Sequence, residues 1–359
     1  MTLHLFNPSH DEALAANSPY YYPSTIARRL QTEWGLLPVL WAQPGDCVLV
    51  DEDTLQTLSD QADSCGSVWA EKLSAVRLLT LRQLTPRLWQ QITHIVPWGW
   101  DPLQRHRLRK AGAPENLLPS DEELAHIRQL SSRESTVCLL PQLVAQLRQM
   151  GIHAVGETRL VRSLDEVSQA LASWQRVVCK SLWSCSGRGV FVIDGATTPS
   201  DTGRLRRLLR EQGGVEVQKA YDRLLDFALE FSTDGSAVHY LGASAFQTNA
   251  SGGYAGNIVA PQAHIEQQIC AALHTDEASL RRIIQTVGTE ARHLLAHRYS
   301  GPFGIDMMAV GTPQGPALMP CIELNLRRTM GHVALNVAKL TLKREFLPPQ
   351  LQNLWYFYT

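Results

Sequence analysis

Lysine is scarce. Only six lysines (Lys72, Lys110, Lys180, Lys219, Lys339 and Lys343) stand among 33 basic residues, so positive charge is carried almost wholly by arginine, and a lysine in an apolar setting calls for a reason. Net charge is also missing: 34 acidic residues leave a formal charge of -1, which gives no global cationic field for a nucleic acid or a membrane surface. No window approaches the roughly 20 apolar residues of a bilayer span. The opening Leu3-His4-Leu5-Phe6 lacks the basic segment and apolar run of a secretion signal, so a cytoplasmic location is expected. The seven cysteines are scattered, odd in number and without a C-x-x-C pair, which argues for free thiols against a disulfide framework or structural zinc. No internal repeat or low-complexity segment is visible.

What remains is a chain of 359 residues, 44% hydrophobic and 19% charged, long enough to require more than one core. Up to about residue 125, short apolar runs alternate with helical patterns, the sign of α/β layering. Strands are expected over 3–6, 39–41, 47–50, 76–79 and 94–98, and helices over 24–36 and 85–91. Loops after strand carboxyl ends are where ligands sit in a parallel sheet, and two of them carry chemistry: Asn7-Pro8-Ser9-His10-Asp11 and Pro97-Trp98-Gly99-Trp100-Asp101. Turn formers, helix caps and aromatic packing would use the same residue types. Ser120 with Glu123 and Ser163 with Glu166 are capping boxes that open helices to about 129 and 174. Between them an apolar helical pattern runs from Leu139 to Met150, which Pro141 should kink or restart and Gly151 stops. A domain boundary is expected within 115–130.

Two constellations carry the chemistry. In the first, the apolar run 177–183 is followed by Ser184-Cys185-Ser186-Gly187-Arg188-Gly189 and a second apolar run, 190–193. This reads as strand, flexible loop, strand, with loop N–H groups free to curl around an anion. Lys180 sits inside the first strand, where an unpaired ammonium is unfavourable, so a bound anion or a carboxylate is its natural partner. The order of a P-loop or a dinucleotide fingerprint is absent. In the second constellation, 303–310 and 317–325 are apolar strands joined by a Gly/Pro turn. Glu323 and Asn325 are two apart and share a face, and hairpin pairing can bring Asp306 beside them. Two carboxylates and an amide oxygen make a hard-oxygen site suited to Mg²⁺ shared with nucleotide phosphates. A salt bridge to Arg327 or Arg328 is the alternative.

A lysine strand before a Ser/Gly loop, a hinge strand, then Asp on one strand and Glu-x-Asn on the next resemble the ATP-grasp fold, over about residues 130–335. Enzymes of that fold include D-alanine:D-alanine ligase, biotin carboxylase and glutathione synthetase. The chain also resembles a branch of bacterial ATP-grasp proteins that begin with an Asn-Pro-x-x-Asp loop. The resemblance implies an α/β chain of α+β lobes, with a Rossmann-like N-terminal domain (1–125), a small lobe (126–220) and a large lobe carrying the metal site (221–359). It also implies roles. Arg133 falls where the family has a basic residue on the nucleotide phosphates. Lys180 matches the phosphate-binding lysine, and Ser184, Ser186, Gly187, Arg188 and Gly189 the loop that closes over the phosphates. Gln218, Lys219 and Tyr221 fall on the adenine-holding hinge strand, with Gln218 where glutamate is usual, and Asp226 falls near the ribose. Asp306, Glu323 and Asn325 match the metal ligands, and Arg327 resembles the arginine on the transferring phosphate. The D-alanine ligase subgroup has an arginine two before the metal aspartate, where this chain has Gly304, a departure for which Arg327 or Arg328 is the candidate substitute.

The implied cofactors are ATP and Mg²⁺, or Mn²⁺ in its place. The implied reaction activates a carboxylate as an acyl phosphate for capture by an amine or thiol, with small-molecule substrates, no nucleic acid, no membrane and, as in many family members, a homodimer. A kinase that stops at phosphorylation, or a nucleotide-binding regulator without turnover, is the alternative. Acceptor contacts are expected from Asn7, His10, Asp11, Trp100, Asp101, Ser251 and Gly252, the last two in a Gly/Ser/Asn loop that either is simply long and mobile or closes on substrate.

Overall fold

The computed structural model describes residues 1–61, 67–184, 189–248, 253–340 and 355–357. They form two units: Met1–Arg128 with Gly256–Pro261 and the residues from His332 onward, and Gln129–Ala255 with Gln262–Gly331.

The first unit is an α/β layer. Strands β1 (Thr2–Leu5), β2 (Cys47–Leu49), β3 (Arg77–Leu79) and β4 (His94–Pro97) pair in parallel in the order β3-β2-β1-β4. Parallel strands need crossover connections, and the alternating helical segments supply them. Leu3, Leu5, Cys47, Leu79 and Ile95 are buried with Leu88, Trp89 and Leu108 from those segments. One expected strand is not a strand. Residues 39 and 40 belong to a 3₁₀ turn, Leu37–Leu40, with Pro38 near its start and Trp41 as its C-cap; a short buried apolar run reads the same in either conformation, and the proline favours the turn. The helix expected over 24–36 is Thr25–Trp34, capped by the Ser24 hydroxyl, which accepts from the Ala27 N–H at 3.2 Å.

The second unit contains two sheets. Strands β5 (Thr158–Val161), β6 (Arg176–Ser181), β7 (Val190–Asp194) and β8 (Val215–Lys219) form an antiparallel sheet in the order β5-β8-β6-β7. Period-2 alternation sorts its side chains. Val177 and Cys179 of β6 and Val215 and Val217 of β8 join a core with Val167 and Leu171 from helix Leu164–Trp174 and Leu205 and Leu208 from helix Pro199–Gln212. The intervening residues therefore face the other way. Strands β9 (Asp222–Thr233) and β10 (Val238–Thr248) make a hairpin. Beyond β11 (Tyr254–Val259), β12 (Gly301–Thr312) and β13 (Gly315–Asn325) make a second, and β12 pairs with β9. The capping box at Ser120 and Glu123 forms in both directions, whereas at Ser163 the hydroxyl accepts from the Glu166 N–H and the Glu166 carboxylate accepts instead from the Arg162 N–H and the Ser163 hydroxyl. The apolar pattern near Pro141 is one helix, Glu134–Gln149, that neither stops nor restarts at the proline, because Leu139, Leu140, Leu143, Val144 and Leu147 bury a continuous stripe.

Strand β14 (Trp355–Phe357) pairs in parallel with Asn257–Val259 of β11, both within the first unit. Among the described residues no helix is long and apolar enough to cross a membrane.

Candidate active site

Register builds the first half of the site. Lys180 on β6 lies opposite Glu216 on β8, with Gln218 two residues on and Thr158 opposite Gln218 on β5, so all four share the face left by the valine core. The Lys180 ammonium donates to Gln218 Oε1 at 2.6 Å and to the Ile322 carbonyl at 3.0 Å, and it lies 3.6 Å from Glu216 Oε2. Glu216 is completely buried. Its Oε1 accepts from Thr158 Oγ1 at 2.9 Å and Gln218 Nε2 at 3.3 Å, while Oε2 has no hydrogen-bond donor. Burial pulls the Lys180 pKa below its ordinary range, opposed by Glu216 and assisted by Arg133.

Arg133, at the start of helix Glu134–Gln149, ties this face to the next. Its guanidinium donates to the Ser181 carbonyl and to Ser184 Oγ, both at 2.9 Å, and pairs with Glu323 at 2.9 Å. Burial works against the charged guanidinium, yet Glu323, Glu216 and Asp306 together raise its pKa. Glu323 thus has an ion-pair partner other than Arg327 or Arg328. Gly189 closes the loop's far end: its carbonyl accepts from the Ser181 N–H at 3.0 Å, its φ is +73°, and a Cβ there would collide with the Ser181 hydroxyl. Ser186, Gly187 and Arg188, like Ser251 and Gly252, lie outside the described residues.

The second half sits on β9, β12 and β13. Asp306 is directly opposite Glu323, and Gly304 opposite Asn325, so the two carboxylates and the amide share one face as the sequence pattern requires. Asp306 is half-buried, and desolvation, then Glu323 and Glu230, push its pKa up to about 8, against Arg327 and a hydrogen bond from Asn325. Of the two neighbouring arginines, Arg327 acts on Asp306. Burial lowers the Arg328 pKa to about 10, with Tyr299 opposing it.

Crowded carboxylates of this kind are relieved by a divalent cation, so Asp306, Glu323 and Asn325 fit Mg²⁺. Among the described residues no three His, Cys, Asp or Glu side chains converge on a metal position, so these ligands would form a partial shell that waters and phosphate oxygens must complete. A pH dependence follows. A carboxyl with a raised folded-state pKa contributes stability that is full below its ordinary range near 4 and is lost as pH rises through the folded value, here about 8. Asp306→Asn is therefore expected to flatten the fall in melting temperature between about pH 4 and pH 8. Mg²⁺ should restore the wild type at alkaline pH and leave the variant unmoved; parallel melting curves for the two proteins would contradict the assignment.

Glu230 was not apparent as a site residue. It is completely buried on β9, takes hydrogen bonds from Ser244 Oγ at 3.0 Å and Thr329 Oγ1 at 2.8 Å, and lies against two glycines. A Cβ on Gly304 would come within 2.6 Å of its Oε2, and one on Gly331 would overlap its Oε1. Position 304 therefore has no room for an arginine, since the Glu230 carboxylate and the Thr329 methyl occupy the space. Glu216 was also missed, although its spacing of two from Gln218 in an otherwise apolar strand is a legible signal.

The residues that the resemblance places on and beside the hinge strand are engaged locally. Lys219 pairs with Glu157 at 3.2 Å and Tyr221 also donates to Glu157. Asp226 pairs with Arg223 and accepts from Thr248 Oγ1, each at 2.9 Å. In the first unit, Asn7 Nδ2 donates to the Gly99 carbonyl at 2.8 Å and to Asp101 Oδ2 at 2.9 Å, and His10 Nδ1 lies 3.5 Å from the same oxygen. Asp101 also caps helix Pro102–Lys110 through Gln104 N–H, and a Cβ on Gly99 would strike the His10 ring. These contacts bring Asn7, His10 and Asp101 together in a buried cluster that joins the ends of β1 and β4. Asp11 is in the first turn of helix His10–Ala16, and Trp100 packs on the core of the parallel sheet.

No family model and no curated protein matches the chain. Among solved structures, the biotin carboxylase domain of the 2-oxoglutarate carboxylase of Hydrogenobacter thermophilus, determined with MgADP, ADP and bicarbonate, has a TM-score of 0.51 at 12% identity, covering 95% of this chain and 70% of that one. The chain has the ATP-grasp fold. Two further ATP-grasp structures are similar at lower scores. The N5-carboxyaminoimidazole ribonucleotide synthetase of Thermus thermophilus has a TM-score of 0.48 at 13% identity, over 92% of this chain and 73% of its own. D-cycloserine synthetase has 0.44 at 15%, over 82% and 98%. At such identities the likeness concerns the ATP-grasp architecture alone.

Proposed function

We propose that the protein is an ATP- and Mg²⁺-dependent ligase that activates a carboxylate as an acyl phosphate for attack by an amine or thiol. The observation that carries this reading is the meeting of two polar faces within one unit. Lys180 reaches the Ile322 carbonyl, next to Glu323, and Arg133 joins Glu323 to the loop at Ser184. A buried lysine and a buried arginine are thus brought beside a half-buried carboxylate pair, and charge acts more strongly where water is partly excluded.

In this reading Lys180 and Arg133 contact the nucleotide phosphates, Gln218 and Tyr221 hold the adenine, and Asp226 the ribose. Asp306, Glu323 and Asn325 would hold Mg²⁺, which when bound supplies charge neutralisation between phosphate oxygens. An acceptor carboxylate oxygen attacks the γ-phosphorus as the bond to ADP breaks, and Lys180 and Arg327 stabilise the charge on the transferring group. An amine or thiol then attacks the acyl carbonyl, and inorganic phosphate leaves. The four cysteine thiols buried among the described residues (Cys47, Cys179, Cys270 and Cys321) take no part: burial raises the pKa of each, Cys179 and Cys321 to about 12, so they stay protonated.

ADP release screened over small carboxylates paired with amines and thiols tests the proposal. Hydroxylamine should trap a hydroxamate when the correct carboxylate is present without its nucleophile. ADP formation with a stable phosphorylated product and no hydroxamate would replace the ligase with a kinase, and an absence of MgATP binding would remove the enzyme reading altogether.

A further inference from the structure

We propose that Glu216 is a positioning residue for Lys180: a buried counter-charge that holds the ammonium on the nucleotide side of the small sheet. The inference rests on the ATP-binding reading above and names a residue that reading does not use. Three observations support it. Glu216 has no solvent exposure, so its charge must be answered inside the protein. It lies directly across the β6–β8 ladder from Lys180, with its Oε2 3.6 Å from the ammonium. Its other oxygen is fixed by Thr158 and Gln218, and this leaves Oε2 without a hydrogen-bond donor and directed at the lysine.

The arrangement answers a specific difficulty. Gln218 meets Lys180 with an amide, which carries no charge to balance the ammonium. Glu216 supplies that charge one step back on the same strand face. Gln218 in turn spends its Oε1 on Lys180 and its Nε2 on Glu216, so one amide links the two charged groups and fixes their separation. Thr158 completes the clamp from β5. Glu216→Gln keeps the acceptor for Gln218, so removal of the charge alone reaches the nucleotide through Lys180 and should be felt by the phosphates and not by the nucleoside.

The test is calorimetric titration of MgATP and, separately, of adenosine into the full chain and into Glu216→Gln and Thr158→Val. Glu216→Gln keeps the shape and an acceptor for both neighbours while removing the charge; Thr158→Val loosens the carboxylate and serves if the first variant fails to fold. We expect MgATP affinity to fall at least about tenfold in Glu216→Gln, less in Thr158→Val, with adenosine affinity unchanged in both. Unaltered MgATP affinity in a folded Glu216→Gln protein, or equal losses for MgATP and adenosine, would overturn the positioning role while leaving the ATP-binding reading intact. A wild-type protein that fails to bind MgATP, whether or not it binds adenosine, would overturn the ATP-binding reading and the role of Glu216 with it.

Discussion

Replacing Lys180 by methionine is expected to abolish MgATP binding and also to lower stability by about 3–5 kcal/mol, because it strands a fully buried carboxylate at Glu216. Methionine keeps most of the lysine's length and apolar stem, so the loss reports charge and hydrogen bonding more than a cavity. The Gln218 Oε1 and Ile322 carbonyl acceptors also lose their donor. A double variant separates these causes. Lys180→Met/Glu216→Gln removes both charges, and its melting temperature should return most of the way to that of the wild type while MgATP binding stays absent. A single Lys180→Met variant that melts like the wild type would show that Glu216 is not balanced by this lysine.

Gly331→Ala is the second large effect. The added methyl would overlap Glu230 Oε1 and crowd Ser244 Oγ, and Glu230 cannot retreat because Thr329 holds its other oxygen and Gly304 packs against it. Overpacking of this kind is expected to lower stability by about 1–3 kcal/mol or more. The clash is with a side chain and not with backbone dihedrals, since Gly331 is not among the glycines of positive φ. Shortening that side chain should therefore relieve it: Gly331→Ala/Glu230→Ala is expected to be less destabilised than the sum of the two single changes, a coupling read directly from thermal or urea unfolding. Additive losses would place the cause elsewhere in the helix Met330–Lys339.

Much of this was legible in the sequence, for identifiable reasons. The pairing of Asp306 with Glu323 follows from a hairpin whose two arms are apolar and whose turn is rich in glycine and proline, because a period of two leaves little freedom of register once one face is buried. The serine caps at Ser120 and Ser163 depend on contacts three residues apart and so needed no tertiary information. The strand expected at Val39 failed because four buried residues carry no period to read. Glu323's partner was out of reach for a different reason: Arg133 is remote in sequence, and only the fold brings the two together. Glu230 shows the same limit, since its binding pocket is assembled from Ser244, Gly304, Thr329 and Gly331 on separate elements.

The division of the chain also bears on the order in which its parts can fold during synthesis. The first unit begins at Met1 but draws residues from 256–261 and from His332 onward, and its β11–β14 pairing joins Asn257–Val259 to Trp355–Phe357. At about 5–20 residues per second of translation, domains commonly fold as they emerge. Here the parallel sheet of residues 2–97 is made before the stretches 129–255 and 262–331 of the other unit, yet the β11–β14 pairing of its own unit can close only after both. A fragment cut after Arg128 would carry the whole parallel sheet and still lack two of the three stretches that make up its unit.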